Sequence, residues 1–185
     1  LVAQHFGAKN EERVKIVAAN GISLLLGLGL VASLVGIVGA PFAFKYMVNV
    51  PEEILPQTIS YFRIFCAGMI FQYGYNIFSS ILRGVGDSAS TLYFLLVSSV
   101  LNIFLDLLFV AVLKMDVNGA AIATVISQAV SFVAALVYMY KKYPVFRFRR
   151  HDFKFDAEAI RGTIKIGFPI SFQQIVVSLG LTAIQ

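Results

Sequence analysis

SASTLYFLLVSSVLNIFLDLLFVAVL, residues 88–113, holds twenty-six residues and a single charge, Asp106, once the flanking Asp87 and Lys114 are set aside. A helix of about 20 residues, rising about 1.5 Å per residue, crosses the roughly 30 Å hydrocarbon core of a bilayer. The stretch lacks period-two alternation, so it reads as a helix and not as a barrel strand. Four other stretches share its character. Residues 22–44, 117–140 and 166–185 carry no charge, and 59–82 carries only Arg63 near one end. Since only helices or closed barrels satisfy the backbone in hydrocarbon, the expected fold is all-α, a polytopic membrane helical bundle.

Composition agrees. The chain is 58% hydrophobic and 14% charged, against about a quarter charged in soluble domains. Cys66, the one cysteine, lies in an apolar run; it excludes an intrachain disulfide and a Cys-rich metal site and reads as a packing residue. His5 and His151 stand apart from other ligand-type residues at metal spacing and read as surface residues. The chain opens on Leu1 and ends at Gln185 within an apolar run, the pattern expected of an interior piece of a longer chain.

Basic residues set the orientation. With the first loop in the cytoplasm, the inner loops hold Lys9, Arg13, Lys15, Arg83, Lys141, Lys142, Arg147, Arg149, Arg150, Lys154, Arg161 and Lys165, twelve of the fifteen Lys and Arg residues. Lys45 and Lys114 fall outside, and Arg63 is placed to reach outward from its helix end. This satisfies the positive-inside rule for a multi-pass protein of the plasma (inner) membrane. It also explains RFRRHDFK (147–154) by topology and anionic lipid headgroups, without nucleic acid.

The loops carry turn chemistry. RGVGDSAST (83–91) ends one helix on glycines and offers Asp87, Ser88 or Ser90 as the next N-cap. Its Gly-x-Gly lacks the βαβ context of a dinucleotide site. NVPEEILPQ (49–57) has the composition of a short surface helix, and KMDVNG (114–119) reads as a tight outer turn.

Why a carboxylate within the span? Asn102 and Asp106 lie one turn apart on one face, which Ser98 and Ser99 extend. Asp106 falls about 10 Å from the outer end at 1.5 Å per residue. On the following segment Ala120, Thr124 and Gln128 recur every four residues, with Ser127 and Ser131 beside them. Such small and hydroxyl residues are ordinary helix-packing elements. Asp106 is not, because a central carboxylate costs about 2.5–3.5 kcal/mol even on the lenient insertion scale and marks ion or substrate pathways. Burial favours its neutral form and a bound cation its charged form, so proton and cation compete for one group. Amide, hydroxyl and carboxylate oxygens suit a hard cation.

AQHFGAKN (3–10), YFRIFCAGMIFQYGYNIFSSILRGVGDSAS (61–90), SSVLNIFLD (98–106), VNGAAIATVISQ (117–128) and KIGFPISFQQ (165–174), in this order and spacing, resemble the multidrug and toxic compound extrusion (MATE) family. The resemblance implies a twelve-helix, two-lobed transporter of which this chain holds the end of helix 2 to within helix 7. Residues 1–145 would belong to the N-lobe, with helix 3 at about 22–44, helix 4 at 59–82, helix 5 at 90–113 and helix 6 at 119–140. Residues 146–164 would form the cytoplasmic inter-lobe loop, and 165–185 would open the C-lobe. The implied activity is export of cationic amphipathic compounds in antiport with Na+ or H+ by alternating access, with no cofactor, no nucleic acid and no catalysis. The complete two-lobed chain would act as a monomer among membrane lipids.

Residue by residue, Asp106 and Asn102 match the helix 5 aspartate and asparagine of the family's ion site, and Thr124 the helix 6 threonine. A helix 1 aspartate would complete it. Asn76 resembles a polar position of the same cavity, with Gln72 one turn away and Gln128 on helix 6 as further candidates. Some members carry a helix 7 glutamate ten residues after the glycine of the G-x-P motif; here that position is Val177, which shifts the weight to Asp106. Two other functions call for different residues. A lipid-linked saccharide flippase of related architecture calls for several intramembrane Arg or Lys residues, and a membrane-embedded enzyme for two convergent catalytic groups; neither pattern is present.

Overall fold

A computed structural model describes residues 1–48 and 50–184, and among these it shows helices and no strand. The α-helices are α1 (Val2–Gly7), α2 (Glu11–Phe42), α3 (Leu55–Gly84), α4 (Ser88–Asp106), α5 (Asp116–Lys142) and α6 (Ala157–Ile184). Helices α2 and α4 each run on into a π-helical segment, Ala43–Met47 and Leu107–Val112. Side by side, the order is α2, α3, α5, α4, so α3 lies between α2 and α5, while α4 packs chiefly on α5.

Helix α2 starts well before the uncharged run. Asn10 Oδ1 accepts the Arg13 N–H at 3.0 Å, and Glu11 and Glu12 occupy the first turn, where the helix dipole favours negative charge. Near the other end, Pro41 has no N–H to offer the Ile37 carbonyl. Arg63 Nε donates to that carbonyl at 3.2 Å, so this arginine, expected to reach outward, also repairs the α2 backbone.

Five apolar spans were expected; among the described residues, three helical segments are long and apolar enough for crossing a membrane, 11–47, 88–112 and 116–142. Helix α3 is long enough at 30 residues, yet Gln72, Asn76, Ser79 and Ser80 dilute its apolarity. Of these only Ser79 is buried, while Gln72, Asn76 and Ser80 are exposed; it is small residues that let α3 pack closely between α2 and α5. A Cβ on Gly68 would lie inside the Val125 side chain and one on Gly74 inside the Phe132 ring. Helix α6 begins at Ala157, earlier than the expected 165, because Asp156 caps it by accepting the Ala159 N–H at 2.7 Å. Its first turns therefore carry Glu158, Arg161 and Lys165, and Pro169 falls inside the helix.

Asp87 is the N-cap of α4, accepting the Ser90 N–H at 3.2 Å. Gly86, at φ +89°, adopts the left-handed backbone that turns the chain there. Residues 52–54 form a turn and not the short surface helix expected of 49–57; Asn49 lies outside the described residues. The turn expected at 114–119 is shorter, 113–115, because α5 begins at Asp116; Lys114 and Asp116 have positive φ (53° and 49°).

The apolar core gathers at the end bearing the basic loops. Val14, Ala18 and Ile22 of α2, Phe78, Ile81 and Leu82 of α3, and Ala135 and Met139 of α5 close around Phe146 from the loop after α5. Elsewhere the large apolar side chains of α2 and α4 point outward, among them Val38, Tyr93 and Val100.

Candidate functional site

The α4 and α5 faces expected to meet do meet, joined by side-chain hydroxyls donating to carbonyls across the contact. Ser131 Oγ donates to the Phe94 carbonyl at 3.1 Å and Ser98 Oγ to the Ser127 carbonyl at 3.0 Å. Both serines are buried, so they hold the helices together. One turn further out, Asn102 Nδ2 comes to 3.5 Å from Thr124 Oγ1, which itself donates to the Ala120 carbonyl at 3.0 Å. The Asn102 contact is at the long limit for a hydrogen bond.

Another turn outward the pairing stops. Asp106 Oδ1 is buried and has no hydrogen-bond partner among the described residues. Buried polar atoms are almost always paired, and an unpaired carboxylate oxygen in a low dielectric draws a proton, a cation or a donor. Asp106 is also the last α-helical residue before the π segment Leu107–Val112, a local widening that recurs at functional sites. Asn118 Oδ1, in the first turn of α5, is likewise buried without a partner. Sequence reasoning passed over Asn118, although it stands in the NGAAIAT stretch that drew attention to Thr124.

Among the three proposed ion-site residues, then, Asn102 and Thr124 come together, and Asp106 sits one turn beyond Asn102 with a free oxygen. The set of proposed cavity residues separates. A cavity of about 690 Å³ opens between α1, α2, α3 and α6, lined by Tyr73, Asn76 and Ser80 together with apolar residues such as Ile22, Ile77 and Ile170. Asn76 lines it; Gln72 and Gln128 do not. Helix α3 stands between this cavity and the α4–α5 contact, so the two sites are distinct places in the described structure.

The end bearing the basic loops holds two polar clusters that the sequence did not announce. Asp87 Oδ2 accepts from Tyr138 Oη at 2.9 Å, Tyr143 Oη at 2.9 Å and Lys142 Nζ at 2.8 Å. Burial opposes its ionisation, but these donors and the Ser90 N–H outweigh burial and hold the carboxyl well below the ordinary carboxylate range. The second cluster straps the loop after α5 onto α2. Asn20 Nδ2 donates to the Lys154 carbonyl at 3.2 Å while its Oδ1 accepts the Asp156 N–H at 3.0 Å. Arg13 bridges Asp156, at 2.9 Å, and Glu158, and Lys15 lies 3.4 Å from buried Asp152. His151 rests against the same Asp152 at 3.1 Å and is otherwise exposed. No group of three or more His, Cys, Asp or Glu side chains suited to a metal occurs among the described residues.

Comparison with known proteins follows the same lines. The MatE family model matches residues 1–108. The chain is 34% identical over 191 residues to the probable multidrug resistance protein YoeA of Bacillus subtilis (strain 168), covering 100% of this chain and 41% of that relative. It superposes on a solved structure described as the inward-facing conformation of a multidrug resistance MATE family transporter of the MOP superfamily, with a TM-score of 0.87 and 28% identity over 96% of this chain and 40% of the other. On a structure described as the outward-facing conformation of such a transporter the TM-score is 0.89, with 27% identity over 98% of this chain and 40% of the other. The chain thus spans about two fifths of the length of the relatives it matches. With a family match over more than half of its residues and helix packing that follows solved MATE transporters along nearly its whole length, the chain belongs to the MatE family.

Proposed function

We propose that the protein carrying this chain exports cationic amphipathic compounds across the plasma membrane in antiport with Na+ or H+, and that Asp106, with Asn102 and Thr124, is the ion-coupling site of this segment. The carrying observation is the buried, unpartnered Oδ1 of Asp106 at the point where the hydrogen bonds between α4 and α5 stop. A proton satisfies that oxygen by neutralising the carboxyl, and Na+ satisfies it by ion pairing; either state excludes the other. A half-turn of the Asn102 amide about its Cβ–Cγ bond presents Oδ1 in place of Nδ2, and the Thr124 oxygen retains a lone pair while donating to the Ala120 carbonyl. Both are oxygen donors of the kind a hard cation takes.

The substrate reading rests on the cavity between α1, α2, α3 and α6. Its apolar walls, the Tyr73 ring and the Asn76 amide suit a flat, hydrophobic cation, which an aromatic face attracts. Gln72 and Gln128 take no part in it. Similar superposition on inward- and outward-facing relatives supports a segment that moves largely as one body while access alternates.

The test is efflux of a cationic dye from vesicles holding the full-length protein, under separately imposed Na+ and H+ gradients. Wild type should respond to one of them, and Asp106→Asn, inserted at equal level, should respond to neither. Gradient-driven efflux that persists in the variant would remove Asp106 from the coupling step.

A further inference from the structure

We propose that the strap between α5 and α6, residues 147–155, is a binding surface for the headgroups of anionic phospholipids in the leaflet on the basic side of the membrane. Three observations carry it, none of which depends on the transport reading.

The first is depth. The two hydrogen bonds from Asn20 fix the backbone at Lys154 and Asp156 level with Asn20, and Lys15 is the last charge of α2 before its uncharged run, 16–44. At about 1.5 Å per residue, the strap is held roughly 7.5 Å along the helix axis beyond that last charge. That is the depth at which headgroups give way to acyl chains.

The second is charge. Both acids of the strap region are used internally: Asp152 is buried, accepts the Arg149 N–H and faces Lys15, and Asp156 caps α6 and pairs with Arg13. Three of the strap's cations are not neutralised. Arg147, Arg149 and Lys154 are exposed and form no ion pair among the described residues. Among the described residues the Arg147 side chain donates only to the Tyr140 carbonyl, at 3.4 Å, with its guanidinium 5.6 Å from the Tyr140 ring centre, and it keeps donors free for a phosphate.

The third is alternation. In FRFR (146–149) the phenylalanines turn inward and the arginines outward. Phe146 is fully buried and stacks through Phe148 to Phe153. Phe155, next to Lys154, is 79% exposed, an apolar side chain beside cations at the level where acyl chains begin. The stacked rings thus back a surface of cations and the two exposed rings of Phe153 and Phe155, the combination that holds a segment on an anionic bilayer.

The full-length protein is reconstituted in phosphatidylcholine vesicles containing phosphatidylglycerol, gently extracted, and its retained lipid measured by mass spectrometry. Wild type should retain phosphatidylglycerol in excess of its share of the bilayer, less so as salt rises. Each basic residue near an anionic surface is worth about fivefold, so R147Q/R149Q/K154Q should lose most of that excess, and Phe155→Ser a smaller part. K45Q/K114Q, on the opposite side, should keep it. Equal excess in wild type and the triple variant, no excess in wild type, or displacement of the lipid by an equal concentration of soluble glycerol phosphate would each overturn the proposal.

Discussion

Replacing Asp87 by alanine tests the latch at the basic end most sharply. Four donors converge on this carboxylate: the Ser90 N–H and the side chains of Tyr138, Lys142 and Tyr143. Loss of the N-cap costs about 1 kcal/mol. The part-buried Tyr138 and Tyr143 hydroxyls each lose an acceptor, about 1 kcal/mol apiece. The Lys142 side chain is 50% exposed, so solvent screens its ion pair and it adds little to this sum. The total is near 3 kcal/mol, which for a chain of this size corresponds to a fall in Tm of about 6–12 °C. Asp87→Asn keeps the cap and one acceptor and should lose about half as much. Cys66 is buried, so its reaction with a fluorogenic thiol reagent during heating in detergent reports the unfolding of α3. A shift below about 2 °C for Asp87→Ala, or a double-mutant cycle with Tyr143→Phe showing coupling under about 0.3 kcal/mol, would refute the reasoning.

Other outcomes follow from the packing. Gly68→Ala should destabilise by about 1–3 kcal/mol through overlap with Val125, and Val125→Ala in the same chain should restore much of it in the same melting assay. Ser98→Ala should cost only about 0.6 kcal/mol and leave ion selectivity in dye efflux unchanged, because its hydroxyl serves the α4–α5 contact. Asp87, Asp152 and Asp156 all have lowered pKa values. Their stabilisation is therefore present above the ordinary carboxylate value of 3.8 and is lost as pH falls below it. Tm should be flat between about pH 5 and 8 and drop below about pH 4; a drop already complete at pH 6 would contradict this.

Much of the framework was legible because hydrocarbon imposes one rule, and the runs around Asp106 and Thr124 obey it. Helix α3 is less apolar than its neighbours, since Gln72, Asn76 and Ser80 stand on its exposed side. The i, i+4 spacing of Asn102 and Asp106 marked the α4 face, and Thr124 its partner, because both sets of residues belong to adjacent antiparallel helices joined by a short turn. The π segment after Asp106 had no such signal: LLFVAV is as apolar as its surroundings. The strap was illegible for another reason. Asn20 and Asp156 are 136 residues apart, and no local pattern couples positions so distant.

The central claim is that the Asp106 carboxyl itself exchanges proton for cation. Infrared difference spectra of the full-length protein, recorded between high and low pH with and without Na+, read that group directly. The account predicts a protonated carboxyl band that is absent from Asp106→Asn and, for a Na+-coupled protein, suppressed by Na+ at constant pH. Identical difference spectra for wild type and Asp106→Asn would contradict it.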